Sequence, residues 1–269
     1  MMLSSVFLKS LRDRRIALLW WAIGVTGFVI LMAGFWPFVE DQRQQLEQVL
    51  ESLPPQMFAL LGLAHGEDVF SPEGYLTSRT FGWVVPIIFS LYAASQGAAA
   101  IAGEEEDNTI DLLMANPLSR VRVLVEKWLA MAAIIVLIGL ILGGALVLGD
   151  RLFGLGIDPL RYAAAAGSAV LLAILIGSLA LALGAAGLSR AAAMGVSAAV
   201  TVTSFLINSL GTAVPQLEGW RLATPFYYYD DAKPLLNGLD PIHAGVLAGG
   251  ALLVTVIGAA LFSRRDLGT

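Results

Sequence analysis

Six stretches of the sequence are apolar over at least 21 residues, and this feature leaves few folds open to the chain. They cover about residues 16–38, 81–102, 128–148, 162–188, 191–214 and 242–262. A helix needs about 20 apolar residues to cross the hydrocarbon core of a bilayer, so each stretch is long enough to span a membrane. Only 14% of the residues are charged, against about 25% in soluble proteins. The sequence therefore predicts an all-α integral membrane protein with six transmembrane helices, forming a single transmembrane domain over residues 1–269.

Lys and Arg residues are distributed unevenly between the two sides of this predicted bundle. One side carries ten of them and the other side six, spread over longer loops. Because positively charged loops stay in the cytosol, the asymmetry predicts that both termini and the loop 103–127 are cytosolic, in the inner (cytoplasmic) membrane of a cell. The excess of Arg over Lys and the many Ala residues favour a bacterial source. The ten residues on the cytosolic side are Lys9, Arg12, Arg14, Arg15, Arg120, Arg122, Lys127, Arg190, Arg264 and Arg265.

Three segments outside the predicted spans have patterns of their own. Residues 1–15 combine helically spaced apolar residues with basic ones, which predicts an interfacial amphipathic helix or only a basic segment that sets the topology. The loop 39–80 is long for a simple connection; it is expected to be a helical extracellular cap or a solvated loop without function. Within it, Ser71 followed by Pro72 and Glu73 predicts the start of a helix. The aromatic residues of the extracellular loop 215–241 are typical of a belt at the membrane interface.

The loop 103–127 holds more structure than a simple connection needs. Four consecutive acidic residues, 104–107, end the second apolar stretch, and placing each near the membrane centre would cost about 2.5–3.5 kcal/mol. Asn108 or Thr109 can cap a short apolar helix, Pro117 ends that helix, and Ser119 can cap the helix that leads into the third span. The acids by themselves are explained by a stop signal. The apolar helix beside them favours presentation to a soluble partner.

The sequence lacks the residue patterns of several functional classes. It contains no Cys and only two isolated His, His65 and His243, so no catalytic residue, metal site or cofactor of its own is predicted. No Gly is followed by Lys-Ser or Lys-Thr, which excludes a Walker A loop. The spans contain almost no ionisable residues, which argues against an ion-coupled carrier. The expected source of energy is therefore another polypeptide, and no nucleic-acid partner is expected.

Small and polar residues form patterns inside the predicted spans. Polar side chains in spans face other helices or a cavity, so each polar stripe predicts either helix packing, the commoner cause, or a translocation surface. Two Gly-xxx-Gly pairs, Gly139 with Gly143 and Gly245 with Gly249, predict close helix packing. The polar stripes consist of Ser197, Thr201, Ser204 and Asn208 in the fifth span and of Tyr92, Ser95 and Gln96 in the second.

The loop 103–127 resembles the cytosolic coupling loop of ABC-2-type transporter permeases. In that family an acidic cluster, a Gly/Asn-Thr pair, a Leu-Leu pair and a Pro-hydrophobic-Ser-Arg run form the helix that docks on the ATPase subunit. The Thr-Pro-Phe-Tyr-Tyr run at 224–228 and the Pro-Leu-Leu-Asn-Gly run at 234–238 resemble the loop before the last span of these permeases. Asn108-Thr109 stands where members often have Gly-Thr, which alters the start of the coupling helix.

The resemblance implies a type V-like ABC-2 exporter fold, with an elbow helix at 1–15 and a helical extracellular loop at 39–80. The chain would be the permease subunit of an ATP-driven exporter of an amphipathic, drug-like or lipid-like substrate. Two copies, or this chain and a sister permease, would assemble in the lipid bilayer with two ABC ATPase subunits, which bind ATP and Mg. The alternative is a stand-alone six-span membrane enzyme or scaffold with an acidic docking loop.

The resemblance also assigns roles to residues. The coupling helix would cover about residues 106–116, and the second and fifth spans would line the translocation path, which favours the two polar stripes as its walls. The residues implied in coupling to the ATPase are Glu104, Glu105, Glu106, Asp107, Thr109, Ile110, Leu112, Leu113, Asn116, Pro117, Ser119 and Arg120.

The predicted orientation is testable because the chain contains no Cys. A membrane-impermeant thiol reagent applied to intact cells should label a Ser71→Cys variant. It should label a Ser119→Cys variant only after the cells are permeabilised, because that residue is predicted to be cytosolic. Labelling of Ser119→Cys in intact cells would contradict the orientation.

Overall fold

The computed structural model describes residues 15–43, 70–107, 109, 119–212 and 214–265, and these residues form helices and connecting turns. Six of the helical segments are long and apolar enough to cross a membrane, which confirms the predicted all-α, six-span fold. Residues 1–14 of the predicted elbow at 1–15 and most of the loop 39–80 lie outside the described residues. In chain order the helices are α1 (Arg15–Gly34), α2 (Trp36–Asp41), α3 (Pro72–Leu76), a π-helical turn (Thr77–Phe81), α4 (Val84–Glu106), α5 (Arg120–Phe153), α6 (Pro159–Ala185), α7 (Arg190–Leu210), α8 (Pro215–Arg221), α9 (Pro225–Asp230), α10 (Pro234–Asn237) and α11 (Pro241–Arg264).

The two ends of the bundle differ in how their helices begin. We call the end that holds residues 104–107 the acidic end and the end that holds residues 226–229 the aromatic end. Of the described helices that begin at the aromatic end, six start with a proline, whose fixed φ suits the first helical position, whereas α2 and α4 start with Trp36 and Val84. At the acidic end, α5 and α7 instead begin after capping serines, Ser119 and Ser189. The prolines are Pro72, Pro159, Pro215, Pro225, Pro234 and Pro241.

Two predicted helix starts are confirmed by the hydrogen bonds that cap them. The Ser71 hydroxyl oxygen accepts a hydrogen bond from the Gly74 backbone N–H at 3.1 Å, at the start of α3. The Ser119 hydroxyl oxygen accepts one from the Arg122 N–H at 3.3 Å, at the start of α5. Because α5 is 34 residues long, it extends for about 51 Å, well beyond the predicted third span. A polar first turn therefore continues the membrane helix away from the hydrocarbon at the acidic end.

Helix α6 is the centre of the bundle and packs against α4, α5 and α11. Its contact with α4 is made by glycines whose backbones almost touch. A Cβ atom added at Gly97 of α4 would lie 2.1 Å from the carbonyl oxygen of Gly177 in α6. One added at Gly184 of α6 would lie 3.3 Å from the Cβ of Ala102. Small residues drive helix association in membranes because they allow such close approach.

The two predicted Gly-xxx-Gly packing motifs have different outcomes. A Cβ added at Gly139 would lie 2.2 Å from Cγ2 of Val170 in α6, which confirms close packing of α5 on α6. The prediction is wrong for Gly245 and Gly249, since added Cβ atoms there would meet no atom of the described chain within 4 Å. Helix α11 approaches α6 through Gly258 instead, where an added Cβ would lie 2.9 Å from Ala182.

Gly97 should tolerate substitution poorly, although alanine favours helices. In Gly97→Ala the new methyl group would collide with the α6 backbone, and such overpacking costs about 1–3 kcal/mol. We expect a lower unfolding temperature for the purified protein in detergent. The matched control is Gly144→Ala in α5, where an added Cβ meets nothing within 4 Å, and it should be as stable as the parent. Equal unfolding temperatures for the two variants would contradict the close α4–α6 contact.

Candidate functional site

The acidic residues at the end of α4 bind the ends of other spans. The Glu104 carboxylate accepts hydrogen bonds from the Lys127 ammonium group in α5 and from the Thr109 hydroxyl group. The Thr109 backbone N–H also donates to the Glu104 carbonyl oxygen at 2.9 Å. Glu104 therefore ties α4 to the first turns of α5 and to the start of the loop that follows α4.

Glu105 forms a bidentate ion pair with Arg265, the residue that follows α11. The two guanidinium nitrogens donate to the two carboxylate oxygens at 2.9 and 3.1 Å. Charge-assisted bonds of this parallel form are stronger and more directional than single ones. The Arg265 carbonyl oxygen also accepts a hydrogen bond from the Arg120 guanidinium at the start of α5.

Glu106 caps the start of α7. Its carboxylate accepts a hydrogen bond from the backbone N–H of Arg190 at 2.9 Å. A carboxylate at this position complements the partial positive charge of a helix N-terminus. Within the described part of the chain, the Asp107 side chain bonds to no neighbouring span. Asp107 is exposed and follows the last residue of α4, and its backbone N–H donates to the Gly103 carbonyl oxygen at 3.0 Å.

A network of ion pairs and hydrogen bonds from Glu104, Glu105 and Glu106 thus joins the acidic ends of α4, α5, α7 and α11. The sequence predicted a stop signal or ATPase docking for these acids and did not give their partners. For the two ion pairs the available signal was the basic residues at the same end of neighbouring spans. The missed partners are the side chains of Lys127 and Arg265 and the backbone N–H of Arg190. The predicted coupling residues Ile110, Leu112, Leu113, Asn116 and Pro117 lie outside the described residues.

The polar stripe of the fifth span is the buried face of α7. Ser197, Thr201, Ser204 and Asn208 are exposed by 0%, 0%, 7% and 5%, and α7 packs most extensively against α4. The stripe therefore does not face a partner or an open cavity in this structure, and the packing alternative describes its geometry. The stripe suits a helix contact because small side chains such as serine let two helices approach closely. We call this contact the polar seam.

The polar residues predicted on the second span have different neighbours, although Gln96 Nε2 donates a hydrogen bond to Ser95 Oγ at 3.5 Å. The Tyr92 ring packs against Trp21 of α1, with ring centroids 4.6 Å apart. The Ser95 hydroxyl donates to the Tyr92 carbonyl oxygen of its own helix at 2.7 Å. Gln96 Oε1 and Ser197 Oγ are both buried and have no hydrogen-bond partner among the described residues. Two spans that meet at the polar seam thus each bury an unsatisfied polar oxygen.

At the aromatic end, the loop after α7 is bound into the bundle. The Tyr229 hydroxyl donates to the Phe81 carbonyl oxygen at 2.7 Å, and the Ser168 hydroxyl of α6 donates to the Tyr229 carbonyl oxygen at 3.2 Å. Burial raises the pKa of Tyr229 well above its usual value, so the phenol remains a hydrogen-bond donor. The prediction of an interfacial belt is wrong for Phe226 and Tyr229, which are only 2% and 3% exposed.

The same loop is also joined to the polar seam. The Arg221 guanidinium donates to Asn208 Oδ1 at 3.3 Å and to the Asp231 carboxylate at 3.2 Å, and it lies over the Tyr227 ring, 5.4 Å from the centroid. The end of the seam at Asn208 is therefore held by a charged group from the loop.

An apolar cavity of about 420 Å³ lies between α1 and α4. Its walls include Trp20, Phe28, Ile88 and Phe89. The Trp20 side chain is 70% exposed, so the cavity adjoins the apolar outer surface of the bundle. Such a cavity suits a hydrocarbon group rather than a polar one.

The fold defines a multi-pass α-helical membrane protein whose polar and charged groups are used mainly to join spans to one another. The chain belongs to the family described as ABC-2 family transporter protein, whose profile matches residues 4–267. It is thus a membrane permease of the ABC transporter class, a class that works with an ABC ATPase partner. A search of curated proteins found no significant match.

Proposed function

We propose that this chain is the permease half of an ATP-driven exporter, acting as a homodimer or with a sister permease and powered by two separate ATPase subunits. The observation that carries the proposal is the bonding of the acids at the start of the loop 103–127. These acids are bonded to α5, α7 and the end of α11. A force applied to this loop by a bound ATPase would therefore act on four spans together.

The proposed coupling element is the apolar helix at about 106–116, on the cytosolic side that the Lys and Arg asymmetry predicts. Closure of the ATPase subunits on ATP would displace this helix and, through it, the ends of the spans. Leu112 and Leu113 would fill an apolar groove on the ATPase. They are suited to this because the helix is held off the bilayer by the four acids that precede it.

The proposed translocation path is the polar seam, which would open when α4 and α7 separate. The seam is suited to opening because the buried side chains that α7 contributes to it are small or uncharged polar ones. Buried unsatisfied oxygens cost free energy, and Ser197 and Gln96 each carry one. Separation of the helices would give both atoms partners in water or substrate, which lowers the cost of the open state.

The proposed substrate is amphipathic, either drug-like or lipid-like. Uncharged polar groups line the seam, and the cavity between α1 and α4 is apolar. A molecule with a polar head and a hydrocarbon part would find an environment for each. Export is the direction that the resemblance to ABC-2-type exporters implies.

The coupling helix can be tested with Leu113→Asp. Burial of a Leu side chain contributes roughly 1.5–3 kcal/mol, so its replacement by a charge should weaken ATPase binding by roughly 10- to 100-fold. Co-purification of the ATPase subunit with the tagged permease measures this. The matched control is Ala115→Asp, which adds the same charge away from the predicted apolar face and should retain the ATPase. Normal ATPase binding and transport in Leu113→Asp would exclude the coupling-helix assignment, and the absence of any ATPase partner would favour the stand-alone enzyme or scaffold.

Ser197→Ala separates a translocation path from simple helix packing. The substitution removes a buried hydroxyl group that lacks a partner, so the unfolding temperature should stay the same or rise. If Ser197 lines the path, transport per folded molecule or substrate-stimulated ATP hydrolysis should nevertheless change. Ser209→Ala, on the exposed side of α7, is the control and should change neither. Unaltered transport in Ser197→Ala, and in Thr201→Val beside it, would leave packing as the only role of the seam.

A further inference from the structure

We propose that Glu105 and Arg265 are positioning residues for coupling, because their ion pair makes the end of α11 move as one body with the loop 103–127. This inference rests on the proposed function above and adds a specific link to it. The sequence pattern of the coupling loop ends at residue 127, whereas Arg265 lies near the other end of the chain. The pair therefore makes the segment after the last span part of the coupling apparatus.

Arg265 bonds to residues of two other helices at the acidic end. Its guanidinium binds Glu105 at the end of α4 through two bonds of 2.9 and 3.1 Å. Its carbonyl oxygen accepts a hydrogen bond from Arg120, the first residue of α5. A single residue after α11 thus contacts both helices that flank the coupling loop.

The turn between α6 and α7 provides the surface on which Arg265 rests. Gly187 in this turn has a φ of +105°, a left-handed conformation that favours glycine. A Cβ added at Gly187 would lie 3.1 Å from Cζ and 3.2 Å from Nε of Arg265. The guanidinium therefore lies directly against the backbone of the turn, and any larger residue there would displace it. Through this contact, α6 and α7 also adjoin the ion pair.

The geometry of the pair indicates a positioning role more than a stabilising one. Most exposed ion pairs contribute little to stability. The Glu105 and Arg265 side chains are 22% and 30% exposed, so the pair is largely shielded from water. Its two parallel bonds constrain both distance and orientation. By contrast, Arg122 and Glu126 form a pair within α5 in which the Arg side chain is 63% exposed, and that pair joins no two elements.

The movement can be measured with spin labels, because the chain has no native Cys. Labels on Ala115→Cys in the coupling loop and Ser263→Cys at the end of α11 report on the proposed body, in the complex of full-length permease and ATPase. Their separation should be the same with and without ATP. In a Glu105→Ala background the same two labels should shift on ATP binding, because the loop then moves without α11. A reference pair, on Ala115→Cys and Ser209→Cys, should shift in both backgrounds.

Charge reversal tests the pair itself. Glu105→Arg and Arg265→Glu should each lower permease-dependent stimulation of ATP hydrolysis by about fivefold or more, the lower range of measured coupling between sites. The double variant Glu105→Arg/Arg265→Glu should restore the stimulation, and it should also restore the ATP-independent separation of the first label pair. Arg122→Glu breaks the exposed pair within α5 and should change neither measurement. Rescue by the swap excludes a mere loss of folding in the single variants.

The outcomes separate this inference from the proposed function. If the parent chain recruits no ATPase, or ATP never shifts the reference labels, the proposed function fails. If ATP shifts the reference labels but also changes the separation of the first pair in the parent chain, only the inference is wrong. The inference is equally overturned if Glu105→Ala keeps that separation constant, or if both reversed variants retain full stimulation.

Discussion

The near-contact of the α4 and α6 backbones is the constraint on which the rest of the bundle depends. Lipid tails are as apolar as leucine side chains, so spans are not driven together by hydrophobic burial and must gain stability from close packing. Gly97 and Gly177 allow that packing at the middle of the two helices. Because the middle is held by backbone contact, α4 and α6 must move as a unit, and the larger displacements fall to helices with looser contacts. Helix α7, whose buried face is small and polar, is the one best suited to move.

The acidic residues after α4 show how one short run can meet several physical requirements. Carboxylates cannot enter the hydrocarbon at low cost, so they end the span. There Glu104 and Glu105 pair with the basic groups of Lys127 and Arg265 at the ends of α5 and α11. The charges that end the span therefore also bond it to its neighbours. The pairing also means that a variant that alters one of these acids affects two spans at once.

The spans were predictable from the sequence because side chains in contact with lipid must be apolar. All six spans lie where the sequence is apolar over a long stretch. Hydropathy could not give the true length of α5, whose first turns are helical but polar. The caps at Ser71 and Ser119 were predictable because capping depends on neighbours only three residues away. The Glu105–Arg265 pair was not, because its partners are 160 residues apart and no local pattern relates them.

The polar stripe of α7 shows a second limit of prediction from the sequence. Its spacing showed correctly that Ser197, Thr201, Ser204 and Asn208 share one face of a helix, but spacing does not reveal what that face meets. Only the packing of α7 on α4 placed the stripe inside the chain. Likewise, the aromatic residues of the loop 215–241 were expected at the interface, yet Tyr229 reaches into the bundle, where its hydroxyl group donates a hydrogen bond to the Phe81 carbonyl oxygen.

The prolines that begin the helices of the aromatic end have a mechanical consequence. A helix lengthens at its start by winding the preceding residue into a new turn, and a proline at the first position disfavours the helical conformation of that residue. The helices from Pro159 and Pro241 are therefore poorly suited to lengthening at their starts. A piston-like displacement along the membrane normal would require such winding and unwinding, whereas a tilt would not. Helices that begin in this way are better suited to tilt about the ends at which they start, which would make the displacement largest at the acidic end.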